Sequence, residues 1–222
     1  MTDVSERFAR VEEDIRMACQ ASGRRRSEIK VVAVSKRQPE ARLRDAIELG
    51  HRDFGENYPQ ELAEKQARFP ELSWHQVGHV QRNKAKLLDR AVLVHSLDSL
   101  RLARTLSDLG QKTRPVPVLL QVNQAREEQK TGWLEEELDG LFEALPDLGG
   151  IDVMGFMTLP PPGEGRRYFA ELRALRERWR DRSGLPLAEL SMGMSDDFEA
   201  AIHEGATLLR IGTALFGPRP EN

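Results

Sequence analysis

The sequence has little of several features that direct a chain toward particular classes of protein. Its single cysteine, Cys19, excludes an intramolecular disulfide and a zinc cluster built on cysteines. No apolar stretch approaches the length of a membrane span, and the polar, acid-bearing segment from Met1 to Glu13 is unlike a signal peptide. The net charge of -3 provides no basic field for nucleic acid. We therefore expect a cytoplasmic protein without membrane or nucleic-acid partners.

The composition that is present suits a globular protein. Hydrophobic residues make up 39% of the chain and charged residues 31%, enough for a buried core beneath a heavily solvated surface. The length of 222 residues suits one large domain or two small ones. No linker-like stretch divides the chain, so we expect a single domain over residues 1–222.

Short apolar runs alternate with amphipathic helical stretches along the chain. A leading helix is expected over about 4–21, and Gly50, Gly110 and Gly205 stand where helix C-caps belong. Eight strands alternating with helices favour an α/β fold, a closed parallel (β/α)8 TIM barrel with an extra N-terminal helix; an open doubly wound sheet is the alternative. The predicted strands are 31–35, 52–55, 74–78, 91–96, 116–122, 151–156, 188–191 and 208–212. Predicted helices include 40–49, 99–109, 134–145, 166–180 and 196–204.

Lys36 points most directly to a chemistry. It follows the predicted strand 31–35, and Pro39 marks a turn before the next helix. Apolar walls at a strand end favour the neutral amine, which is the form that attacks an aldehyde to give a Schiff base. The alternative is a lysine whose side chain extends from the strand end into solvent.

Residues that directly follow the strands of a parallel barrel converge on one mouth. Here they are mainly amide, hydroxyl and amine side chains, without the cluster of histidines and carboxylates that a metal site needs. Among them are Lys36, Glu56, Asn57, His79, His95, Asn123, Thr158, Ser191, Ser195, Gly212 and Thr213.

The segments after the seventh and eighth strands indicate a phosphate site. Residues 191–197 run from a strand toward a helix, whose N-terminus would offer N–H groups to an anion. The second segment adds the backbone N–H of Gly212 and the hydroxyl of Thr213, and in many barrels these two loops hold a phosphate. Alternatively, Ser195 is only a helix N-cap and Gly212 only a tight turn. Together with Lys36, the two loops favour a phosphate-bearing aldehyde as the ligand.

Arg210 lies within the eighth predicted strand, so its side chain is expected to point into the barrel. A buried guanidinium needs a partner. A ring nitrogen of a ligand is one candidate, and Glu56 or Glu61 are candidates within the chain. An arginine that faces a pyridine nitrogen would leave that nitrogen unprotonated and make the ring a weaker electron sink.

Motifs spread over nearly the whole chain, in order, resemble the pyridoxal phosphate homeostasis protein family. They are Val34-Ser35-Lys36 with Pro39, residues 54–61 (FGENYPQE), 74–84 (WHQVGHVQRNK), 155–158 (GFMT), 190–195 (LSMGMS) and 210–217 (RIGTALFG). Two positions depart from the family pattern. Gln38 stands where many members carry a basic residue, which could alter how cofactor enters or leaves, and Phe156 stands where many have leucine.

The resemblance implies a fold-type III pyridoxal phosphate barrel, similar to the N-terminal domain of alanine racemases. It implies that Lys36 carries pyridoxal 5′-phosphate as a Schiff base, that Arg210 faces the pyridine nitrogen, and that Asn57 lines the ring. Lys130 would be a second lysine amine available to the cofactor, in addition to Lys36. The phosphate would lie on Ser195, Gly212 and Thr213, with Ser191 and Gly193 nearby.

Three functions remain open from the sequence. We favour a monomeric cofactor-binding protein, not an enzyme, that holds pyridoxal 5′-phosphate, limits free aldehyde and passes cofactor to apo-enzymes by transient contact. A racemase-like enzyme is the alternative; its second base is expected to come from a further domain, yet the chain ends at Asn222, which leaves Tyr58 as a substitute. The third is a cofactor-free Schiff-base aldolase acting on sugar phosphates, with Glu56 as its acid or base.

Overall fold

Eight strands form the centre of the structure, a computed structural model that describes residues 3–218. The outermost residues of the expected 1–222 domain lie outside the described ones. The strands are β1 Lys30–Val34, β2 Asp53–Glu56, β3 Ser73–Gln76, β4 Leu93–Leu97, β5 Val116–Val122, β6 Ile151–Thr158, β7 Glu189–Ser191 and β8 Leu208–Ile211. The α-helices are α1 Asp3–Ala21, α2 Glu40–Glu48, α3 Pro59–Arg68, α4 Leu100–Gly110, α5 Leu138–Ala144, α6 Gly165–Ser183, α7 Phe198–His203 and α8 Thr213–Phe216.

The strands close into a barrel in chain order, and every neighbouring pair is parallel. β1 completes the ring by pairing with β8, in a register that places Val32 opposite Arg210. The predicted (β/α)8 barrel is therefore confirmed, and the open doubly wound sheet is wrong. The carboxyl ends of all eight strands consequently meet at one end of the barrel.

Alternate residues of a strand face opposite sides of the barrel wall. Val32 and Leu119 belong to a small apolar cluster that fills the interior, whereas their neighbours Ala33 and Leu120 pack outward into the larger cluster beneath the helices. Both sides of the wall are buried, which explains why the strands read as nearly continuous apolar runs in the sequence.

The helices begin and end largely where local signals place them. Pro39 precedes the first residue of α2, and Pro59 is the first residue of α3, where its missing N–H costs no hydrogen bond. One unit departs from the pattern, because a 3-10 segment over Arg82–Leu88 connects β3 to β4 in place of an α-helix.

The glycine predictions have a mixed outcome. Gly50 and Gly205 have φ angles of +88° and +93° directly after the caps of α2 and α7, so the C-cap predictions are confirmed there. The prediction is wrong for Gly110, which is the last residue of α4. A Cβ at Gly110 would lie 1.8 Å from the carbonyl oxygen of Gly150, so this glycine allows the helix to touch the loop before β6.

The leading helix α1 lies against α2, α7 and α8. Its apolar stripe buries Val4, Val11, Ile15 and Cys19. Burial raises the pKa of that thiol. Within residues 3–218, no helix combines the length and apolar character needed to cross a membrane.

Candidate functional site

A cavity of about 610 Å³ opens at the carboxyl ends of the strands. Seven of the predicted binding residues line it, namely Lys36, Asn57, Lys130, Ser195, Arg210, Gly212 and Thr213. Another cavity, of about 720 Å³, lies at the opposite end between α1 and the starts of β1 and β2, and none of the predicted binding residues lines it. The smaller cavity is therefore the candidate site.

Lys36 occupies a tight turn directly after β1. The Gln38 N–H donates to the Ser35 carbonyl at 3.1 Å, which closes the turn. The Ser35 N–H is itself bonded to the carbonyl of Gly55 at 3.0 Å, so the turn continues the sheet. Lys36 thus projects from the rim of the barrel and lines the cavity.

The loops after β7 and β8 meet at the rim through Ser195. Its Oγ accepts the backbone N–H of Ala214 at 3.1 Å. Helix α7 begins only at Phe198, so Ser195 is not its N-cap residue and that alternative interpretation is wrong. Gly212 has a φ of −117°, which any residue can adopt, but its Cβ would lie 3.3 Å from the Val34 carbonyl oxygen. Its small size therefore lets the second loop lie close to β1.

Two predicted residues lie behind the cavity wall instead of lining it. Ser191 is fully buried and hydrogen-bonds to the side chains of His95 and Arg210. Gly193 has a φ of +90°, and a Cβ there would come within 2.6 Å of the Ala201 methyl carbon. Gly193 is thus required by the backbone path and by the packing of α7.

Arg210 is buried and lines the cavity, as its place in β8 predicts. Its guanidinium donates to Ser191 Oγ at 2.6 Å and to the Thr158 carbonyl at 2.8 Å. Burial lowers the pKa of Arg210 to about 10, and the charge of Asp197 opposes that shift. Arg210 is therefore still a cation at neutral pH, with hydrogen bonds to uncharged oxygens.

A chain of hydrogen bonds leads from Arg210 through the barrel interior. Ser191 Oγ lies 2.7 Å from His95 Nδ1, His95 Nε2 lies 3.0 Å from His75 Nδ1, and His75 Nε2 lies 3.2 Å from Asp53 Oδ1. Lys30 pairs with the same Asp53 oxygen at 3.4 Å. The chain thus connects the mouth to the start of β2 at the other end of the barrel.

The direction of this chain follows from its two ends. Ser191 Oγ accepts from Arg210, so its hydroxyl proton is available for His95 Nδ1, and each ring then donates from Nε2 toward the Asp53 carboxylate. Burial lowers the pKa of His75 and lowers that of His95 further. Both rings are accordingly neutral, as one-way donation requires. His75 is therefore a core histidine whose two ring nitrogens both have hydrogen-bond partners.

Glu56 and Glu61 do not pair with Arg210, so that structural prediction is wrong. Both bond to Lys65, whose Nζ lies 2.6 Å from Glu56 Oε1 and 2.9 Å from Glu61 Oε1. Glu56 also accepts from Ser35 Oγ at 2.6 Å. Burial raises the pKa of Glu56 to about 7, although Lys65 and Ser35 favour its charged form. Glu56 lies on β2, and Glu61 and Lys65 lie on α3, whereas Arg210 lies on β8, which is separated from β2 by β1.

Asn57 reaches the cavity because the residue packed against its backbone, Gly78, has no side chain. A Cβ at Gly78 would lie 2.5 Å from the Asn57 carbonyl oxygen. The buried amide of Gln76 donates to the carbonyls of both Asn57 and Gly78 at 2.9 Å. Neither Gln76 nor Gly78 was among the predicted binding residues, because their effect on Asn57 depends on the pairing of β2 with β3.

The remaining rim contains two more basic side chains. Lys130 Nζ donates to the Leu159 carbonyl at 3.1 Å and pairs with Glu127. His79 lines the cavity with half of its side chain exposed, and its Nδ1 lies 2.6 Å from a buried oxygen of Asp98. That pairing of a mouth histidine with a carboxylate 19 residues away was not predicted.

The lining can bind an anion and react with a carbonyl carbon. A lysine amine and a buried guanidinium share the cavity with two loops that present small and hydroxyl residues. Glu56 and Tyr58, the acid or base candidates of the alternative functions, do not line it. Among the described residues, no group of three or more histidine, cysteine or acidic side chains could hold a metal ion.

Comparison with known proteins gives relatives over the full chain. Residues 9–220 match the family described as alanine racemase, N-terminal domain. The pyridoxal phosphate homeostasis protein of Pseudomonas aeruginosa is 44% identical, over 99% of this chain and 97% of that protein. Among solved structures, PipY of Synechococcus elongatus with pyridoxal phosphate bound has a TM-score of 0.83 and 34% identity, over 97% of this chain and all of that one.

Alanine racemases share the fold at lower similarity. The enzyme from Corynebacterium glutamicum has a TM-score of 0.70 and 20% identity, over 95% of this chain and 61% of that one. At this level of identity the likeness concerns the barrel alone.

Proposed function

This chain belongs to the family of pyridoxal phosphate homeostasis proteins, and from that premise we propose that it binds pyridoxal 5′-phosphate at the barrel mouth and serves in homeostasis of that cofactor. The observation that carries the proposal is the common cavity of Lys36, Arg210 and the two loops after β7 and β8. When bound, the cofactor would supply an aldehyde, and Lys36 is the amine placed to bond with it.

The donor set of the cavity suits this cofactor. Arg210 keeps its positive charge and bonds to uncharged partners, so it favours a ring nitrogen that accepts a hydrogen bond without carrying a proton. Ser195, Gly212 and Thr213, which line the same cavity, would hold the phosphate. Asn57 would line the ring. A ring nitrogen kept unprotonated is a weak electron sink, which suits a carrier better than an enzyme of carbanion chemistry.

We further propose that the protein acts as a monomer in the cytoplasm and passes cofactor to apo-enzymes by transient contact. Met194 and His79 stand at the cavity and are each well exposed, so the site can be reached from outside. Lys130 is a secondary amine in this scheme. Its Nζ is bonded to the Leu159 carbonyl and to Glu127, so we do not expect it to be the amine that bonds with the aldehyde.

The test is the visible spectrum of the purified protein with pyridoxal 5′-phosphate, before and after borohydride, followed by mass mapping of the reduced adduct. We expect a yellow protein with the pyridoxyl group on Lys36. Lys36→Ala should lose the reducible bond and keep weaker phosphate-anchored binding, whereas Lys130→Ala should keep both. Undiminished visible absorbance in Lys36→Ala, or a wild-type protein that stays colourless, would overturn the proposal.

The same loaded protein can be used to test the alternative function, a racemase-like activity. Loaded wild-type protein is expected to leave the chirality of alanine and serine unchanged, because Tyr58 lies outside the cavity lining, with its hydroxyl 3.3 Å from Arg37. Loss of chirality at enzyme-like rates would favour the racemase over the carrier.

A further inference from the structure

The turn that carries Lys36 has an unfavourable backbone conformation. Its closing hydrogen bond, from Gln38 to Ser35, leaves Lys36 and Arg37 as the two central residues. Arg37 has a φ of +55°. A residue with a side chain adopts this left-handed conformation only where its surroundings hold it there. The contacts around the turn must therefore supply that support.

Glu61 and Lys65 of α3 supply it on both sides of Lys36. Glu61 Oε1 accepts the backbone N–H of Arg37, the residue after Lys36, at 2.8 Å. Lys65 Nζ donates to the carbonyl of Ser35, the residue before Lys36, at 2.8 Å. Because Glu61 and Lys65 also bond to each other at 2.9 Å, the two contacts act as one unit.

The other contacts of Arg37 are weaker. Its guanidinium lies 5.6 Å from the centroid of the Tyr58 ring and 3.3 Å from the Tyr58 hydroxyl, and both side chains are in contact with water. Exposed contacts of this kind stabilise little. Glu61 is largely buried, with 21% of its side chain exposed, so its bond to the Arg37 N–H is the stronger restraint.

We propose that Glu61 is a positioning residue, which presets the Lys36 turn so that the amine is directed into the cavity before cofactor arrives. The role rests on the proposed function of Lys36. Formation of a covalent bond requires close and oriented approach of the two atoms, and a turn that is already ordered does not have to be ordered during the reaction. Glu61 itself does not line the cavity.

Hydrogen exchange of the Arg37 amide tests the restraint in the free protein. We would compare wild type, Glu61→Ala and Glu61→Gln, with Glu64→Ala as the matched control on the exposed face of the same helix. Glutamine keeps an oxygen that can accept the Arg37 N–H, so Glu61→Gln should retain the protection of this amide. In Glu61→Ala the protection factor of the Arg37 amide should fall at least about tenfold. Equal protection in Glu61→Ala and wild type would overturn the restraint.

The kinetics of cofactor attachment test the positioning. Stopped-flow absorbance separates initial association of pyridoxal 5′-phosphate from the first-order step that bonds it to Lys36. Pyridoxine 5′-phosphate, which has an alcohol in place of the aldehyde, reports binding without that bond. Glu61→Ala should slow the first-order step about tenfold or more and change affinity for the alcohol less than about twofold, and Glu61→Gln should restore most of the rate.

The outcomes separate the two proposals. Wild-type protein that never bonds cofactor to Lys36 would overturn the proposed function and the positioning role with it. Wild-type protein that reacts while Glu61→Ala reacts equally fast would overturn the positioning role alone. A parallel loss of rate and of affinity for the alcohol would also overturn it, because that pattern belongs to general disruption of the site.

Discussion

Lys36 and Arg210 are held at the barrel mouth by different means. Lys36 stands on what we term the amine side, where its turn is bound by a cluster of charged and polar groups, Ser35, Glu56, Glu61 and Lys65. Arg210 stands on the guanidinium side, where it is bound by a chain of uncharged groups that reaches a carboxylate only at its far end, through Ser191, His95, His75 and Asp53.

The difference follows from what each cation has to offer the cavity. In the proposed function Lys36 bonds with the cofactor, and the cluster binds the backbone on either side of Lys36 through Glu61 and Lys65. In the same proposal the guanidinium of Arg210 donates to the ligand, and a neighbouring carboxylate would compete for its donors. Uncharged acceptors orient Arg210 and leave its charge for a ligand. Charged groups can therefore support the Lys36 turn from outside the cavity. Arg210, which lines the cavity, is instead held by an uncharged side chain.

The largest expected effect comes from removing the counter-charge on the amine side. Lys65→Met at about pH 8 leaves the buried Glu56 carboxylate without its ammonium partner, which should cost about 3–5 kcal/mol of unfolding free energy, measured by urea denaturation. The double variant Glu56→Gln/Lys65→Met should recover most of the loss, because no buried charge then lacks a partner. A loss below about 1 kcal/mol in Lys65→Met would show that the cluster does not depend on charge.

The next effect is a dependence of stability on pH that arises from Glu56 on the amine side. Burial raises the pKa of Glu56 from an ordinary 4.5 to about 7, so the folded chain binds this proton more tightly than the unfolded chain. Its contribution to stability is present below pH 4.5 and is lost as pH rises through 7. Each pKa unit corresponds to about 1.4 kcal/mol. The free energy of unfolding of wild type, measured by urea denaturation, should therefore fall by about 3 kcal/mol relative to that of Glu56→Gln across this pH range. A difference between the two proteins that does not change with pH would contradict this assignment.

A smaller effect is expected at the first link of the guanidinium side. Ser191→Ala removes an acceptor 2.6 Å from a buried cation and should cost about 1.5–3 kcal/mol in urea unfolding. It should also weaken binding of pyridoxine 5′-phosphate, since Arg210 loses orientation. Ser183→Ala, which removes a serine-to-carbonyl bond at the end of α6, is the matched control. Equal stability losses in the two variants would argue that the chain has no special role.

The smallest effect is expected at the two histidine rings of the guanidinium side, which should remain neutral at about pH 6.5. Burial lowers the pKa of both His75 and His95, so their contribution to stability is present above their ordinary value of 6.5 and is lost as pH falls, the opposite sign to Glu56. Nitrogen-15 NMR of the ring atoms should show both rings neutral with the proton on Nε2 at pH 6.5, with exposed His203 as an internal reference. A proton on Nδ1 of either ring would contradict the direction assigned to the hydrogen bonds between Ser191 and Asp53.

Local patterns along the chain were enough to predict the barrel, the family and the position of Lys36. Strands buried on both faces leave continuous apolar runs, and their alternation with helical periodicity specifies the topology without knowledge of any distant contact. β5 was predicted at its observed bounds, 116–122, and Lys36 was placed at the cavity because a residue that follows a parallel strand must lie at the mouth. These features depend on local order along the chain.

The groups that support those residues could be found only in the folded barrel. Ser191, expected near the phosphate, hydrogen-bonds to Arg210, and Gly193, expected there too, allows α7 to pack closely. His95 and Ser191 are 96 residues apart in sequence and 2.7 Å apart in the barrel. Contacts of this kind depend on strand register, ring closure and side-chain direction, which no local pattern encodes. The sequence therefore identified most of the residues that line the cavity, and the closed barrel selected their partners.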